Sequence, residues 1–403
     1  MDTFTEPDRF GIYIHVPFCV RRCRYCAFYS TVLHDIPAHD YVSALLNEAE
    51  IRRGPFDGKR PRSIYLGGGT PSCLPDNEIE RLVQGLERLF GRADELTLEC
   101  NPEHVTLERA QNWRACGVTR VSMGIQSFDA EMLLYLGRGH TPDDAKRAMS
   151  DLRQAGFDEV SIDLIFGGTP EGVDSQNVWD LDLQTAKSLA PEHVSCYALT
   201  IEPHTPLAKL QASGAKVCVD DDISAEMMDK IEPALGMRRY EISNYAMPGY
   251  ISAHNVACWA GEPYLGLGPG AHSFFRLKKV FKRCAMRTNL SGYLEQALAG
   301  LEPPLIFEEY ISPEMHLAER LFCAARTRFR WSPEAIASQL GVDSSPYQRV
   351  FEKAEKRGLI DISSEDGACV CQTTDLGIKL NNCLDALIFE AAPDEDDLPD
   401  ELE

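Results

Sequence analysis

Residues 11–200 alternate short apolar runs with stretches of helical character, separated by sharp punctuation. The apolar runs predict strands at 11–16, 63–66, 96–99, 120–124, 160–164 and 194–199. Thr106 is placed to cap a helix that runs to Ala115, with Gly117 beyond its end. Thr141 caps the next, with Pro142 at its first position, Asp143 and Asp144 in its first turn and Gly156 past its end. Acids belong there because the positive end of the helix dipole lies at the N-terminus. Strands alternating with helices predict a parallel sheet with right-handed crossovers. Six such units predict an α/β fold, a partial (β/α)6 barrel over residues 1–235. It stays open because a closed eight-unit barrel takes about 250 residues. The site is expected at the carboxyl ends of the strands.

Beyond residue 235 the pattern changes. Gly249, Gly261, Pro263, Gly266, Gly268, Pro269 and Gly270 make 236–310 read as a loop-rich extension that completes one side of the barrel. Helical stretches at 315–327, 333–340 and 346–356 follow. A hairpin from 358–362 and 368–373 and a last helix from Thr374 complete a small winged-helix-like domain over 311–390. Residues 391–403 hold seven acids in their last ten positions and read as a solvated, disordered tail.

Composition narrows the class. Apolar residues are 44% and charged residues 25% of 403, enough to build a core and to exclude general disorder. The net charge is −22, and about −15 without the acidic end, which argues against a protein that tracks nucleic-acid phosphates. No apolar run reaches the roughly 18 residues of a membrane span. The polar first ten residues have no signal-peptide core, so a cytoplasmic location is expected. Fourteen cysteines in such a chain should stay reduced.

Three of them, Cys19, Cys23 and Cys26, fall within eight residues directly after the first strand. The spacing C-x3-C-x2-C puts three soft thiolates on one tight loop, which suits three irons of a [4Fe–4S] cube. The fourth iron then lacks a protein ligand, and an open position is where substrate chemistry occurs. Its natural occupant is the amine and carboxylate of S-adenosylmethionine, whose sulfonium bond an electron from the cluster would split to give a 5′-deoxyadenosyl radical. Structural zinc, with a fourth ligand from His15 or His34, is the alternative, although the spacing suits it poorly.

Further candidates stand at successive strand ends. Gly67, Gly68, Gly69 and Thr70 follow the second strand, where exposed N–H donors would hold the methionyl amine and carboxylate. Glu99 ends the third strand, Gln126 follows the fourth with Arg138 a few residues on, and Asp163 lies near the end of the fifth. Each alone reads equally as a satisfied core polar group; four together predict a shared polar cavity. The carboxylates would take ribose hydroxyls, and Arg138 would pair the cofactor carboxylate.

These blocks, with YIHVPFC, GGGTPS, ECNPE, RVSMGIQSFD, SIDLIFG, YEISNYA and YLGLGPGAHS, resemble the radical S-adenosylmethionine enzymes of the oxygen-independent coproporphyrinogen oxidase group. Within that group the chain looks most like the HemW-type haem-chaperone branch. The resemblance implies cluster ligation by Cys19, Cys23 and Cys26. It implies cofactor contacts from Tyr13, Tyr25, Gly68, Gly69, Thr70, Glu99, Gln126, Arg138, Asp163, Ala198 and His272. The oxidases carry a further cysteine two places after the third ligand; here it is Phe28. The chaperones carry an HNxxYW block; here it reads His254-Asn255-Val256-Ala257-Cys258-Trp259, which implies haem ligation by His254 with Cys258 in the tyrosine's place. The implied function is binding haem and passing it to an acceptor protein, with an electron donor such as flavodoxin or ferredoxin. The competing readings are coproporphyrinogen III decarboxylation and, more weakly, another tetrapyrrole-modifying radical enzyme. A basic run, Arg276, Lys278, Lys279, Lys282 and Arg283, is either a propionate contact or a solvated face.

Overall fold

The computed structural model describes residues 8–365 and 367–393. Most of the acidic tail, from Asp394 on, and the polar segment through Pro7 lie outside the described residues.

The parallel strands form as the apolar pattern requires. They are β1 (Arg9–Val16), β4 (Arg60–Gly68), β5 (Glu95–Cys100), β6 (Arg120–Gln126), β7 (Glu159–Phe166) and β8 (His193–Ala198). Between the first two lie β2 (Phe18–Cys19) and β3 (Thr31–Val32), a two-residue parallel pair. Phe10, Ile12, Ile14 and Val16 of β1 are fully buried against the surrounding helices. The alternate residues Gly11, Tyr13 and His15 face the other way, toward the ligand-bearing interior, by the two-residue period of a strand. Tyr65, Glu99, Ser122 and Asp163 continue that inner face on the next strands.

The helices between strands begin where the caps predict. The hydroxyl of Thr106 accepts from Arg109 N, opening Leu107–Ala115. Thr141 and Asp144 form a reciprocal capping box at the start of Pro142–Gln154.

The region expected to be loop-rich is more regular than its glycines and prolines suggest. It supplies β9 (Arg238–Arg239), β10 (Asn244–Ala246), β11 (Tyr264–Leu267), β12 (His272–Leu277), β13 (Val280–Met286) and β14 (Leu305–Ile311). The sheet runs β14-β13-β12-β11-β1-β4-β5-β6-β7-β8-β10-β9. β11 is parallel to β1, so seven strands run parallel, and both flanks turn antiparallel. Gly268 and Gly270 turn the chain between β11 and β12, Gly266 lies within β11, and Gly249 and Gly261 flank the helix Ala253–Trp259.

A buried ion pair seats this extension. Arg52 donates to Glu48 Oε1 at 2.9 Å, to Gly266 O at 2.8 Å and to Ser273 Oγ at 3.0 Å. Glu48 Oε2 in turn accepts from Gly268 N at 2.8 Å and from the Tyr293 hydroxyl at 2.7 Å. Every charge in the network has a partner, as burial demands.

The C-terminal part has its own core around Leu317, Leu321, Trp331, Phe351 and Leu384. Helix Pro313–Ala325 is followed by β15 (Arg330–Trp331), then by helices Pro333–Leu340 and Gln348–Lys356 and by β16 (Ile360–Glu365) and β17 (Ala368–Thr373), the three strands ordered β15-β17-β16. Among the described residues no helix is long and apolar enough to cross a membrane. All fourteen cysteines are free thiols.

Candidate cluster and cofactor site

The cysteine loop is pinned at both ends and from two sides. β2 and β3 pair Phe18 with Thr31 and Cys19 with Val32. Between them Arg24 N donates to Leu136 O at 3.0 Å, Leu207 N donates to Arg24 O at 3.1 Å, and Cys26 N closes a turn onto Cys23 O at 3.4 Å. The three thiols open into one cavity of about 640 Å³, bounded by the carboxyl ends of β4 to β8. That volume lies within the range of small-ligand sites. Burial pushes the Cys19 and Cys26 thiols up, while the Thr70 hydroxyl, 3.6 Å from Cys19 Sγ, pulls the former back. Arg138 Nη1 donates to Cys23 Sγ at 3.3 Å.

The inner wall is polar. Glu99 accepts from the Tyr65 hydroxyl at 2.7 Å and from Gly68 N at 3.2 Å. Burial above all, and then Asp163 nearby, raises its carboxyl to about 7. Burial also raises Asp163, which Ser122 Oγ reaches at 3.4 Å. Two crowded carboxyls favour donors such as a ribose diol or an ammonium.

Arg138 Nη2 donates to Asn101 Oδ1 and to Gly124 O, both at 2.6 Å, but its Nε is buried without a hydrogen-bond partner. A carboxylate is the group this guanidinium lacks. Gln126 has φ +73°, at a bulge in the β6–β7 register. Just before it, Ile125 O is 3.0 Å from His140 Nε2. Strain of this kind persists only where surroundings over-determine it.

The glycine loop behaves differently from expectation. Gly68 N donates to Glu99, Gly69 N to Val16 O at 2.8 Å and Thr70 N to Phe18 O at 2.8 Å. The donors expected to hold a carboxylate are therefore taken, by Glu99 and by the backbone of the first strand and the cysteine loop. The glycines answer to packing. Gly68 has φ +108°, and a Cβ there would lie 2.7 Å from the His15 ring; at Gly69 it would lie 2.8 Å from Phe18 O.

The donor set fits a [4Fe–4S] cluster with S-adenosylmethionine. It offers three thiols, an adjacent cation and carboxyls for a ribose or an amine. It does not fit zinc through His15, whose ring nitrogens engage Tyr29 O at 2.8 Å and the Tyr13 hydroxyl at 3.1 Å. Among the described residues no three His, Cys, Asp or Glu side chains converge on a single-ion site.

Comparison with known proteins agrees with this geometry. Residues 13–177 match the radical SAM superfamily model. The chain is 39% identical over 268 residues to the heme chaperone HemW of Escherichia coli K12, covering 65% of this chain and 69% of that protein. It is 34% identical over 358 residues to the heme chaperone HemW of Bacillus subtilis 168, covering 86% of this chain and 92% of the relative. The chain belongs to the HemW family. Its fold is that of the solved coproporphyrinogen III oxidase HemN from Escherichia coli, with a TM-score of 0.79 over 94% of this chain and 90% of that one, at 22% identity.

Most residues that the family resemblance marks meet in the cavity. Cys19, Cys23, Cys26, Tyr25, Gly68, Gly69, Thr70, Glu99, Gln126, Arg138, Asp163 and Ala198 all line it. Tyr13 does not; it lies behind His15 and stacks on Tyr65 at 6.3 Å between ring centroids. His272, at the exposed start of β12, is outside it too.

His254 lies at the other end of the barrel, on the helix Ala253–Trp259. Glu95 caps that helix, accepting from Ala253 N at 2.8 Å and His254 N at 3.1 Å. The His254 ring stacks on Tyr65 at 4.9 Å, and its Nδ1 meets Ser63 Oγ at 2.9 Å. Burial, with Arg120's charge, lowers it to about 4. It is a neutral plug in this arrangement. Cys258, one turn on, is exposed. Of the basic run, Lys282 pairs with Glu308, and Arg283 with Glu309 and Glu319, so these two are committed to structure.

Sequence reasoning missed Tyr65, Asn101, His140 and Glu103. Tyr65 was legible as an inward residue two places before the glycine loop. Asn101 and Glu103 stand inside the ECNPE block. His140 carries no signal until the fold brings it beneath Ile125.

Proposed function

We propose that this chain is a radical S-adenosylmethionine, [4Fe–4S] protein of the cytoplasm that binds haem and hands it to an acceptor protein, with reducing equivalents from a small donor such as flavodoxin or ferredoxin. The observation that carries the first half is the opening of Cys19, Cys23 and Cys26 into one cavity with Arg138, whose Nη1 donates to Cys23 Sγ at 3.3 Å. The relatives' shared name, heme chaperone HemW, supports the second half.

In this reading Cys19, Cys23 and Cys26 would hold the cluster, whose chemistry when bound would be to supply an electron for cleavage of the sulfonium. Arg138 orients the methionyl carboxylate, and its position is set by Asn101 and Gly124 O. Glu99 and Asp163 would accept from the ribose, both lying in the cavity wall. Phe28, where the oxidases place a further cysteine, leaves the rim apolar and favours carriage over decarboxylation.

The test is anaerobic. Reconstituted protein titrated with haem should show stoichiometric growth of a Soret band. With coproporphyrinogen, S-adenosylmethionine and reductant it should form no protoporphyrinogen. Turnover in that assay overturns the carrier reading in favour of the oxidase.

A further inference from the structure

Beneath the cofactor cavity, toward the amino ends of the strands, the barrel interior is polar, where a closed barrel fills with branched apolar side chains. Ser63, Thr97, Arg120 and Ser161 stand two residues before Tyr65, Glu99, Ser122 and Asp163 on their strands, and so share their inner face. Glu95 stands one step lower on β5. All of these lower residues are buried. Burial lowers Arg120, but Glu95 first, then Tyr65, Tyr240 and Asp163, raise it overall. One cation is thus shared between a carboxylate of the cavity wall and another at the floor. Buried polar groups tied together in this way hold discrete arrangements rather than yielding gradually.

The floor is the helix Ala253–Trp259. Glu95 accepts from Ala253 N at 2.8 Å, His254 N at 3.1 Å and Ser252 Oγ at 3.4 Å. Ser63 Oγ lies 2.9 Å from His254 Nδ1, and the Tyr65 ring carries the His254 ring at 4.9 Å. Residues of the polar interior therefore seat the helix. It is only seven residues long and hangs between two glycines in the left-handed region, Gly249 at φ +92° and Gly261 at φ +70°. Such positions can absorb the backbone rotation of a hinge.

Tyr65 belongs to both ends. Its hydroxyl donates to Glu99 Oε1 at 2.7 Å, and Gly68 N reaches Oε2 at 3.2 Å. A ligand donating to Glu99 would fix that carboxylate, and a fixed carboxylate holds the hydroxyl that donates to it. The ring then cannot tilt, and the face on which His254 stacks is held in place. Without such a ligand Glu99 rests on Tyr65 and Gly68 alone.

We propose that an occupied cofactor cavity locks the helix Ala253–Trp259 against the barrel through Tyr65, and that emptying the cavity lets the helix swing out on Gly249 and Gly261. The seated state keeps the contacts to Ser63, Tyr65 and Glu95; the released state gives them up. By reciprocity, whatever draws the helix out weakens cofactor binding by the same factor. The helix carries the block that the family resemblance marks for haem, so the cavity regulates that end of the barrel. This rests on the reading of the cavity as a cofactor site and adds its regulation.

Amide hydrogen exchange followed by mass spectrometry decides it, on the full, anaerobically reconstituted chain with and without S-adenosylmethionine. Saturating cofactor should slow exchange across residues 253–259 about tenfold, within the usual span of a coupling between sites. In Tyr65→Phe, saturated with a higher concentration, that slowing should fall below about twofold while the cavity segment 97–101 stays protected. His140→Leu, which weakens binding without touching Tyr65, should keep the full effect once saturated. Unchanged exchange at 253–259 beside a protected cavity overturns the proposal, as does full slowing in Tyr65→Phe. Equal slowing in the C-terminal core around Trp331 and Phe351 would be general stabilisation and overturns it too. If the cofactor protects no cavity segment at all, the cofactor reading itself fails, a result distinct from these.

Discussion

Tyr65 joins the two ends of the barrel: its hydroxyl donates to Glu99 at 2.7 Å while its ring stacks on His254 at 4.9 Å. The hydroxyl fixes which carboxylate oxygen faces the cavity. Tyr65→Phe removes one hydrogen bond to a group that must accept from a ligand. A loss of about 1.5 kcal/mol in cofactor binding, roughly tenfold in Kd, is expected. Equilibrium dialysis of S-adenosylmethionine checks it, with iron content as the control.

Arg138 should matter more. Arg138→Gln keeps polar contacts to Asn101 and Gly124 within reach but deletes the charge. We expect about 2–3 kcal/mol of lost cofactor affinity, on the order of thirty- to hundredfold. A calorimetric titration giving the unaltered affinity would remove the guanidinium from the carboxylate site.

His140 is a positioning residue. Its Nε2 steadies the Ile125 carbonyl and so the left-handed Gln126. His140→Leu should weaken cofactor binding about fivefold, the value of one neutral hydrogen bond. His140→Gln, which retains a donor, should restore most of it. Equal losses in both variants would mean that the ring's packing, not its donor, is what counts.

Asp182 provides a pH signature away from the site. It is buried, accepts from Ser127 Oγ at 2.8 Å and Phe128 N at 2.6 Å, and burial raises it from 3.8 to about 7. A carboxyl that titrates higher folded than unfolded binds its extra proton in the folded state. Its contribution to stability is full below about pH 4 and is lost as pH rises through 7, up to about 4 kcal/mol. Glu99 adds to the same trend between 4.5 and about 7. Asp182→Asn keeps an acceptor for Phe128 N. Its denaturation midpoint should fall less than that of the unaltered protein between pH 5 and pH 7.5.

His254→Ala separates plug from ligand. Losing the stacked ring and the Ser63 contact should lower stability by about 2–4 kcal/mol. Haem affinity at a temperature where the variant stays folded should be unchanged. A Soret band lost from the folded variant would restore the histidine to the ligand list.

Much of this was legible from residue order. The apolar alternation of β1 and the caps Thr106 and Thr141 are local signals, and local chemistry determines them. The cysteine spacing is equally local, because one loop carries all three thiols. The glycine loop is only partly legible: glycine marks a close approach without saying by what, and here strand β1 and the His15 ring come close on one side while Gly68 and Gly69 line the cavity on the other. The surroundings of His254 were not legible, since a motif shows which residues travel together and not where a helix places them, here against Tyr65 and Ser63. The strands β9 to β14 were hidden because short antiparallel strands joined by glycine turns share the composition of a loop. The docking of β11 beside β1 is set by contacts more than 200 residues apart, supported by Arg52 with Ser273.

The position of β1 between β4 and β11 has a consequence for biogenesis. The strand that leads into the cysteine loop is made before its sheet neighbours, and one of the two follows only some 250 residues later. Until Tyr264–Leu267 has been synthesised, one side of β1 offers unpaired peptide groups, and the thiols beside it sit on a half-built wall. Iron–sulfur assembly on the nascent chain would meet a loop without its final backing, so metallation is best timed after translation ends.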